Sequence, residues 1–481
     1  MQTCGKAYFL CEKEVNSSEN QGNMYLWAMK PPISLPLQDF DYELPDQSIA
    51  YTPAANRSDS KLLVWDKEII AESTYNHIAK FIPEKAALFF NNSKVIAARI
   101  HFHKANNSTI EIFCLEPSAS YQPISIAMQA TQKVEWICLV GGAKKWKEDF
   151  LEKEFEIIQP SFNGENLVKD KLAENNNDNN NNNNGVSIKV RAKKIKSLDG
   201  KFLIEFSWDN DSISFSEIIE HIGSIPLPPY IQRATTEEDK NRYQTTYAKE
   251  EGSVAAPTAG LHFNDAIFES LTEKNCGIHF ISLHVGAGTF MPVKTDKITD
   301  HEMHAEVFEI TTTTLTNLID IAKQKELNPA QYTPVIAVGT TTLRTLETLY
   351  WLGVKLIHNP SLQENKDLHL VQWDAYESNN DTNNDSKPSI AVKDALGTLL
   401  KWMQSHQMHS LVTSTQLMIV PGYSFKIANG LVTNFHQPKS TLLLIIAAIT
   451  GDKWKNIYQH AIDNDYRFLS YGDGCYFAIN E

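Results

Sequence analysis

The chain has 481 residues, and its 44 basic and 58 acidic residues give a formal net charge of −14. Hydrophobic residues make up 42% and charged residues 21%, which excludes a wholly disordered, collagenous or coiled-coil protein. The acidic balance argues against non-specific coating of nucleic acid, although it leaves room for one local basic patch.

The beginning of the chain lacks the long apolar segment of a secretion signal. Residues 1–32 have no clear hydrophobic period, so we predict an extension that is disordered. The longest apolar run, 442–449, is far too short to span a bilayer. Six cysteines without a Cys-x-x-Cys pair are typical of reduced thiols. These features predict a cytoplasmic protein with no membrane segment.

Two kinds of pattern follow along the chain. Residues 33–99 contain short buried strands, of which 62–66 and 86–90 are the clearest. Residues 100–222 alternate apolar and polar positions in short runs separated by turn clusters, which predicts an antiparallel barrel or sandwich. The asparagine tract 175–184 inside this block cannot bury apolar area, and we predict that it is disordered.

From residue 223 onward, strands alternate with helices, as in a sheet layered with helices. Strand 334–338 precedes a helix at 341–351 that we expect to stop at Gly353, and strand 431–434 precedes an apolar helix at 440–449. These patterns predict an α/β fold in which a sheet layered with helices accompanies the antiparallel barrel or sandwich of residues 100–222.

Three strand ends in the α/β part carry polar, glycine-rich loops, at 284–290, 338–345 and 433–441. Open α/β sheets bind ligands at the carboxyl ends of their strands, and a helix start rich in threonine suits a carboxylate or phosphate. Arg344 offers a bidentate contact to a carboxylate. Tight turns are the alternative for any one loop, because none matches a known phosphate or dinucleotide motif in context. Together the three loops favour a ligand site.

The histidines near these loops suggest acid–base or hydrogen-bonding roles rather than a metal site. His301 and His304 lie three residues apart, whereas an HExxH motif needs a spacing of four. No third ligand follows at a fixed spacing, so we predict no metal.

A basic run at 189–196 has two interpretations. Lysines on an edge strand prevent aggregation, whereas the same charges on an exposed face bind an RNA backbone. We favour the edge-strand interpretation.

Longer segments carry a more distinctive pattern: GSVAAPTAGLHF (252–263), LHVGAGTF (283–290), VIAVGTTTLRTLE (335–347), NFHQPKSTLL (434–443) and YRFLSYGDG (466–474). Together they resemble the S-adenosylmethionine:tRNA ribosyltransferase-isomerase family of queuosine synthesis. The similarity runs in order from about residue 33 to the end of the chain, and the first two segments are the most specific.

The resemblance implies a layered α/β main domain, at 33–99 and 223–481, with an inserted small antiparallel β-barrel domain at 100–222. It also implies a reaction. The ribosyl part of S-adenosylmethionine is transferred to 7-aminomethyl-7-deazaguanine at the wobble position of tRNA and isomerised. The products are epoxyqueuosine, adenine and methionine. S-adenosylmethionine is then a co-substrate, no permanently bound cofactor is expected, and a monomer is expected.

The matching loops supply candidate site residues. His284 and Asp473 are the candidate catalytic groups, because a base must take a proton beside the sulfonium and a carboxylate could stabilise the charge that develops as adenine leaves. The candidates for substrate binding are Arg57, Asn91, Thr258, His262, Gly286, Gly288, Thr289, His304, Thr340, Thr341, Arg344, Asn434, His436, Lys439 and Tyr471. The candidate tRNA contacts are Arg233, Arg242 and Lys439.

Two departures from the family pattern remove carboxylates, since Asn92 and Ser58 stand where the family usually has Asp. Two other functions stay open, and these departures are the sequence signal for the second of them. One is an S-adenosylmethionine-dependent RNA methyltransferase, which would release S-adenosylhomocysteine. The other is an RNA-binding protein that kept the fold and lost the chemistry.

Overall fold

A computed structural model of the chain describes residues 35–158, 185–284, 286, 295–377 and 390–479. The predicted extension 1–32 and the asparagine tract 175–184 lie outside these residues. The described strands are β1 (Lys61–Asp66), β2 (Ile69–Thr74), β3 (Ala87–Asn91), β4 (Ser93–Val95), β5 (Arg99–His103), β6 (Thr109–Pro117), β7 (Lys133–Gly141), β8 (Leu151–Ile158), β9 (Gly185–Leu198), β10 (Lys201–Trp208), β11 (Gly223–Ser224), β12 (Glu250–Ser253), β13 (Gly277–His284), β14 (Glu306–Thr311), β15 (Val335–Val338), β16 (Ser410–Thr415), β17 (Gly430–Asn434) and β18 (Gly474–Ala478).

The described α-helices are α1 (Ile124–Gln129), α2 (Phe215–Ile222), α3 (Glu237–Arg242), α4 (Asp265–Glu273), α5 (Thr312–Leu327), α6 (Thr340–His358), α7 (Asp374–Glu377), α8 (Val392–Ser405), α9 (Thr441–Thr450) and α10 (Trp454–Asp463). Short 3-10 helices lie between them, at Leu37–Phe40, Asp46–Ser48, Arg57–Asp59, Tyr75–Lys80, Ala119–Tyr121, Ala143–Lys145, Thr258–His262, Ile298–Asp300, Asn365–Asp367 and Gly451–Lys453. Within the described residues, no helix is both long and apolar enough to cross a membrane.

Nine of the described strands form a mixed sheet in the order β16–β14–β13–β3–β15–β17–β18–β1–β2. Its central strands β13, β3, β15 and β17 run parallel to one another. Every residue of β3, β15 and β17 is buried, as is typical of strands covered on both faces. The four parallel strands end at one edge of the sheet, which we call the carboxyl edge.

Two apolar clusters cover the opposite faces of this sheet. Phe89 belongs to a cluster with apolar residues of α5, α6, α8, α9 and α10. Its neighbour Phe90 belongs to a second cluster, with α4 and the 3-10 helix Tyr75–Lys80. Successive strand residues point to opposite faces, so β3 anchors both layers. The mixed α/β class is therefore confirmed, while the division into a main and an inserted domain stays a prediction.

The helix predicted at 341–351 does not stop at Gly353, because α6 continues to His358. A Cβ atom on Gly353 would lie 2.1 Å from the carbonyl oxygen of Ala395 in α8. This glycine therefore permits a close approach of two helices, and the prediction that it ends the helix was wrong.

Seven further strands form an antiparallel sheet in the order β11–β5–β6–β7–β10–β9–β8. The predicted antiparallel pattern is confirmed, but no pairing among the described strands closes the sheet into a ring. Strand β11 has only two residues, so the ladder ends there. Lys153 of β8 instead donates hydrogen bonds to the carbonyl oxygens of His101 (3.2 Å) and Ile222 (3.3 Å). The sheet is a half-barrel in which this side chain links edge strand β8 to β5 and to the end of α2, close to the opposite edge.

The basic run lies on β9, which pairs with β8 on one side and β10 on the other. It is not an edge strand, so our edge-strand interpretation was wrong. Ile188, Val190 and Ala192 are buried, and the charged residues between them lie on the opposite face. Arg191 pairs with Glu152 of β8 at 2.8 Å, which partly neutralises the run.

Candidate active site

A cavity of about 430 Å³ lies at the carboxyl edge of the nine-stranded sheet. Asn91 lines it at the end of β3, Gly286 lies just beyond β13, Gly339 follows β15, and Asn434 ends β17. The described residues of the three predicted loops thus include members that line one cavity, because parallel strands deliver their ends to the same edge.

Two helix N-termini meet in the cavity wall. Helix α6 begins at Thr340 after Gly339, whose φ of +98° is a conformation that favours glycine. Helix α9 begins at Thr441, and the Ser440 hydroxyl caps it by accepting a hydrogen bond from the Leu443 N–H at 3.2 Å. The first N–H groups of a helix have no intrahelical acceptor and carry partial positive charge, so this wall suits an anion.

A buried ion pair forms another part of the wall. Arg344 lies in the second turn of α6, and Glu306 begins β14. Their side chains are 3% and 7% exposed, and Arg344 Nη2 contacts Glu306 Oε2. Among the described lining residues, Glu306 is the one carboxylate. Sequence reasoning proposed Arg344 but missed Glu306, whose only signal was its place after two histidines at the start of a strand.

Two of the predicted histidines are buried and neutral. Burial lowers the pKa of His262 to about 4 and that of His436 to about 3. His262 Nδ1 lies 3.2 Å from the carbonyl oxygen of Arg57, and its Nε2 lies 3.3 Å from Asn434 Nδ2. A carbonyl only accepts and an amide nitrogen only donates, so we assign the proton of His262 to Nδ1.

Asn434 connects the cavity to the residues behind it. Its Oδ1 accepts a hydrogen bond from the Thr258 hydroxyl at 2.8 Å, and both side chains line the cavity. Its Nδ2 donates to His262 and, at 3.4 Å, to the carbonyl oxygen of Asp473. Asn434 is therefore held in one orientation by partners that are distant in sequence.

The two candidate catalytic residues lie away from the lining of the cavity. Asp473 accepts hydrogen bonds from the main-chain N–H groups of Lys61 (2.8 Å) and Arg467 (2.7 Å), while burial raises its pKa. Burial lowers the pKa of His284, and a Cβ atom on Gly252 would lie 3.0 Å from its Nδ1. Both side chains are therefore occupied or enclosed in the surrounding structure.

The remaining predicted residues divide into three groups. Besides Asn434 and Thr258, the cavity is lined by Asn91, Gly286, His304, Thr340, Thr341, Arg344, His436 and Lys439. A separate small cavity of about 20 Å³ is lined by Arg57, Arg242, His262 and Tyr471, among others. Gly288 and Thr289 lie outside the described residues.

The predicted tRNA contacts already have partners within the chain. Arg233 forms a bidentate pair with the buried carboxylate of Asp239, at 2.6 and 2.7 Å. Arg242 Nη1 donates to the carbonyl oxygen of Ala55 at 2.9 Å. Lys439 pairs with Asp41 at 2.8 Å and is 41% exposed. Within the described residues, no group of three or more His, Cys, Asp or Glu side chains is placed to hold a metal ion.

Comparison with known proteins identifies a family. The model of the family described as "Queuosine biosynthesis protein" matches residues 37–477. The S-adenosylmethionine:tRNA ribosyltransferase-isomerase of Halothermothrix orenii is 34% identical over 91% of this chain and 98% of its own length. The protein of the same name from Legionella pneumophila strain Corby is 32% identical over 91% and 98%. A crystal structure of S-adenosylmethionine tRNA ribosyltransferase from Thermotoga maritima is 23% identical, covers 91% of this chain and 99% of its own, and has a TM-score of 0.39.

Proposed function

The chain belongs to the queuosine biosynthesis protein family, and on that premise we propose that it is an S-adenosylmethionine:tRNA ribosyltransferase-isomerase. The proposed reaction moves the ribosyl part of S-adenosylmethionine onto 7-aminomethyl-7-deazaguanine at the wobble position of tRNA and isomerises it. Epoxyqueuosine forms, and adenine and methionine leave. The observation that carries this proposal is the cavity, where two helix N-termini and a buried ion pair face one volume.

The cavity suits the methionine end of S-adenosylmethionine, which carries a carboxylate, an ammonium and a sulfonium. Its volume of about 430 Å³ lies within the range of small-molecule sites. We assign the substrate carboxylate to the N–H groups that begin α6 and α9, with Arg344 beside them. We assign the positive charge to Glu306, because it is the one carboxylate among the described lining residues.

The proposed proton acceptor is His304. Burial lowers the pKa of both His436 and His301, which also line the cavity, and so makes them weaker bases. His436 is further occupied, since its Nε2 lies 3.1 Å from the Thr433 hydroxyl. His304 lines the cavity and is exposed, so its imidazole is the one that we assign to the proton beside the sulfonium.

We propose a positioning role for Asp473 in place of the catalytic role that its loop suggested. Its carboxylate accepts the N–H groups of Lys61 and Arg467, which fixes the start of β1 against the last loop of the chain. Its carbonyl oxygen in turn accepts from Asn434, whose side chain lines the cavity. Asp473 therefore supports the cavity from behind.

The two departures from the family pattern do not remove a carboxylate from the lining. The Ser58 hydroxyl accepts a hydrogen bond from Asn264 Nδ2 at 3.1 Å. Asn92 Oδ1 accepts from the Ser282 hydroxyl at 3.0 Å. Both residues stabilise contacts between segments outside the cavity lining. This favours an active enzyme over the binding-only alternative, and family membership favours it over a methyltransferase.

A turnover assay tests the proposed function. Purified protein is mixed with S-adenosylmethionine and an anticodon stem-loop carrying 7-aminomethyl-7-deazaguanine, and adenine and methionine are separated by chromatography. We expect one adenine per methionine with the modified stem-loop and none with an unmodified guanine. S-adenosylhomocysteine as the product would instead establish a methyltransferase. Stem-loop binding without any of these products would establish a binding protein. We propose a cytoplasmic monomer, and light scattering checks the oligomeric state.

A further inference from the structure

Four arginines surround the loop 51–55, and we call them the arginine cluster: Arg57, Arg233, Arg242 and Arg467. Arg233 Nε donates to the carbonyl oxygen of Tyr51 (3.3 Å), Arg467 Nη1 to that of Thr52 (3.3 Å) and Arg242 Nη1 to that of Ala55 (2.9 Å). Arg57 Nη1 instead donates to the carbonyl oxygen of Leu261, which lies outside this loop (3.1 Å). These carbonyl oxygens hold the guanidinium groups in place without neutralising their charge.

The carboxylates near the cluster compensate its charge only in part. Asp239 is buried and pairs with Arg233. Glu238 lies 3.8 Å from Arg242 and is 71% exposed, so its contribution is weak. Asp473 is buried and accepts main-chain N–H groups, although its charge also faces Arg467. Among the described residues, neither Arg57 nor Arg467 forms an ion pair with a carboxylate side chain.

Repulsion within the cluster shows that its charges are close together. Burial and, after it, the charge of Arg242 lower the pKa of Arg57. The charges of Arg467 and Arg57 also help burial to lower the pKa of His262. A chain with a net charge of −14 thus concentrates positive charge at one partly exposed place, where a bound anion would relieve the repulsion.

The cluster borders the candidate active site. Ser470 lines both the large cavity and the small cavity beside Arg57 and Arg242. Tyr230 also lines the large cavity, and its hydroxyl accepts a hydrogen bond from the Ser470 N–H at 2.8 Å. Arg233 lies three residues further along the same segment. The arginine cluster therefore lies next to the part of the cavity wall that Ser470 and Tyr230 form.

We propose that the arginine cluster binds RNA phosphate groups that flank the nucleotide inserted into the cavity. This inference rests on the proposed function. Guanidinium groups that are already held in place attract a phosphate through their positive charge and lose little further side-chain entropy when it binds. Phosphate contacts of this kind set the position of an RNA without reading its sequence. The small cavity, at about 20 Å³, has room for roughly one water, so the phosphates contact the cluster from its exposed side.

The competing RNA surface is the basic run on β9, which belongs to the other sheet. Arg191 and Lys189 there share Glu152, at 2.8 and 3.8 Å. Their charge is compensated by an exposed carboxylate, and they do not line the large cavity. Lys193 on the same face is exposed and provides a matched control.

The test compares Arg467→Gln, Arg467→Lys and Lys193→Gln in the full-length protein. Binding of the modified stem-loop is measured from 50 to 300 mM salt, together with the S-adenosylmethionine dissociation constant and the unfolding temperature. We expect Arg467→Gln to weaken stem-loop binding about tenfold at low salt and to reduce the slope of log K against log salt by about 0.7. Arg467→Lys keeps the slope, and Lys193→Gln matches wild type.

Two outcomes would overturn the inference. One is an Arg467→Gln protein whose salt slope stays that of wild type, whether or not its unfolding temperature falls. The other is that Lys193→Gln, and not Arg467→Gln, weakens binding of the modified stem-loop. Failure of the proposed function is distinguishable, because it leaves wild type without adenine release while Arg467 still controls stem-loop binding. An unchanged dissociation constant for S-adenosylmethionine in all variants confirms that the cavity itself is intact.

Discussion

The two large sheets differ in what they bury. Around the nine-stranded sheet, many polar side chains are buried, among them Asn91, His262, Thr340, Arg344 and Asn434. Across the described residues from β5 to β11, Ser118 is the one buried polar side chain. Burying a polar group without a partner costs free energy, so the first region must provide hydrogen bonds that the second does not need.

This difference follows from strand direction, because the parallel strands form the edge that carries the cavity and the antiparallel strands form an apolar core. Four parallel strands bring their ends to one edge, and the cavity forms there. The antiparallel sheet alternates apolar residues inside and charged residues outside, as in β9. A change in the first region should therefore affect ligand binding, whereas a change in the second should affect stability alone.

The largest expected effect is that of Arg344→Met. It leaves Glu306 as a buried carboxylate without its arginine, which destabilises a protein by about 3–5 kcal/mol. Lys193→Met on the exposed face of β9 should change the free energy of unfolding by less than about 0.5 kcal/mol. Denaturant titration measures both. Equal stability of the two variants would contradict the claim that the polar side chains buried around the nine-stranded sheet depend on their partners.

A core substitution in the antiparallel sheet separates stability from function. Ile188 of β9 is fully buried, so Ile188→Ala should lower the free energy of unfolding by about 2–5 kcal/mol. The KM for S-adenosylmethionine of the folded fraction should not change. A raised KM at a temperature where the variant is fully folded would show that this sheet contributes to the cavity.

The buried histidines predict acid sensitivity of the cavity region. With folded pKa values of about 4 for His262 and about 3 for His436, the unfolded chain binds more protons below pH 6.5. The contribution of each buried histidine to stability should therefore be nearly complete above about pH 7 and fall by about 2 kcal/mol per histidine between pH 7 and pH 5. The variant His262→Gln should lose its share of this dependence in denaturant titrations at both pH values. An unchanged pH dependence would mean that His262 is not buried in its neutral form.

The smallest expected effect concerns one hydrogen bond in each region. Thr258→Val removes the hydroxyl that donates to Asn434, which should cost about 1 kcal/mol of stability and raise the KM for S-adenosylmethionine several-fold. Ser118→Ala removes a hydroxyl that donates to Glu135 at 3.3 Å and should leave KM unchanged. Steady-state kinetics compare the pair. Matching KM values would remove Thr258 from the substrate site.

Local patterns predicted the elements well where one segment contains the signal. The predicted apolar helix at 440–449 is observed as Thr441–Thr450, and the strand at 431–434 as Gly430–Asn434. The end of α6 was missed because Gly353 is required by contact with α8, a neighbour that the local sequence does not reveal. The periodicity of hydrophobic residues indicates which residues of a segment are buried, but it does not indicate which other segment covers them.

The site shows the same limit. The loops that line the cavity are recognisable, since glycine and threonine follow buried strands. Glu306 was missed because it reaches the carboxyl edge only through the antiparallel pairing of β14 with β13. The contact of Asp473 with the main chain of Lys61 was not visible in the sequence, because the two residues lie 412 positions apart. Residue types are visible in a sequence, whereas their partners depend on the fold.

The most direct test of the central claim is calorimetric binding of S-adenosylmethionine to wild type, Glu306→Gln and Lys193→Met, with the unfolding temperature of each protein recorded alongside. Losing a charged partner costs about 1.5–3 kcal/mol, so Glu306→Gln should bind at least tenfold more weakly. Lys193→Met should bind as tightly as wild type. Equal dissociation constants in all three proteins would contradict the claim that S-adenosylmethionine occupies the cavity at the carboxyl edge.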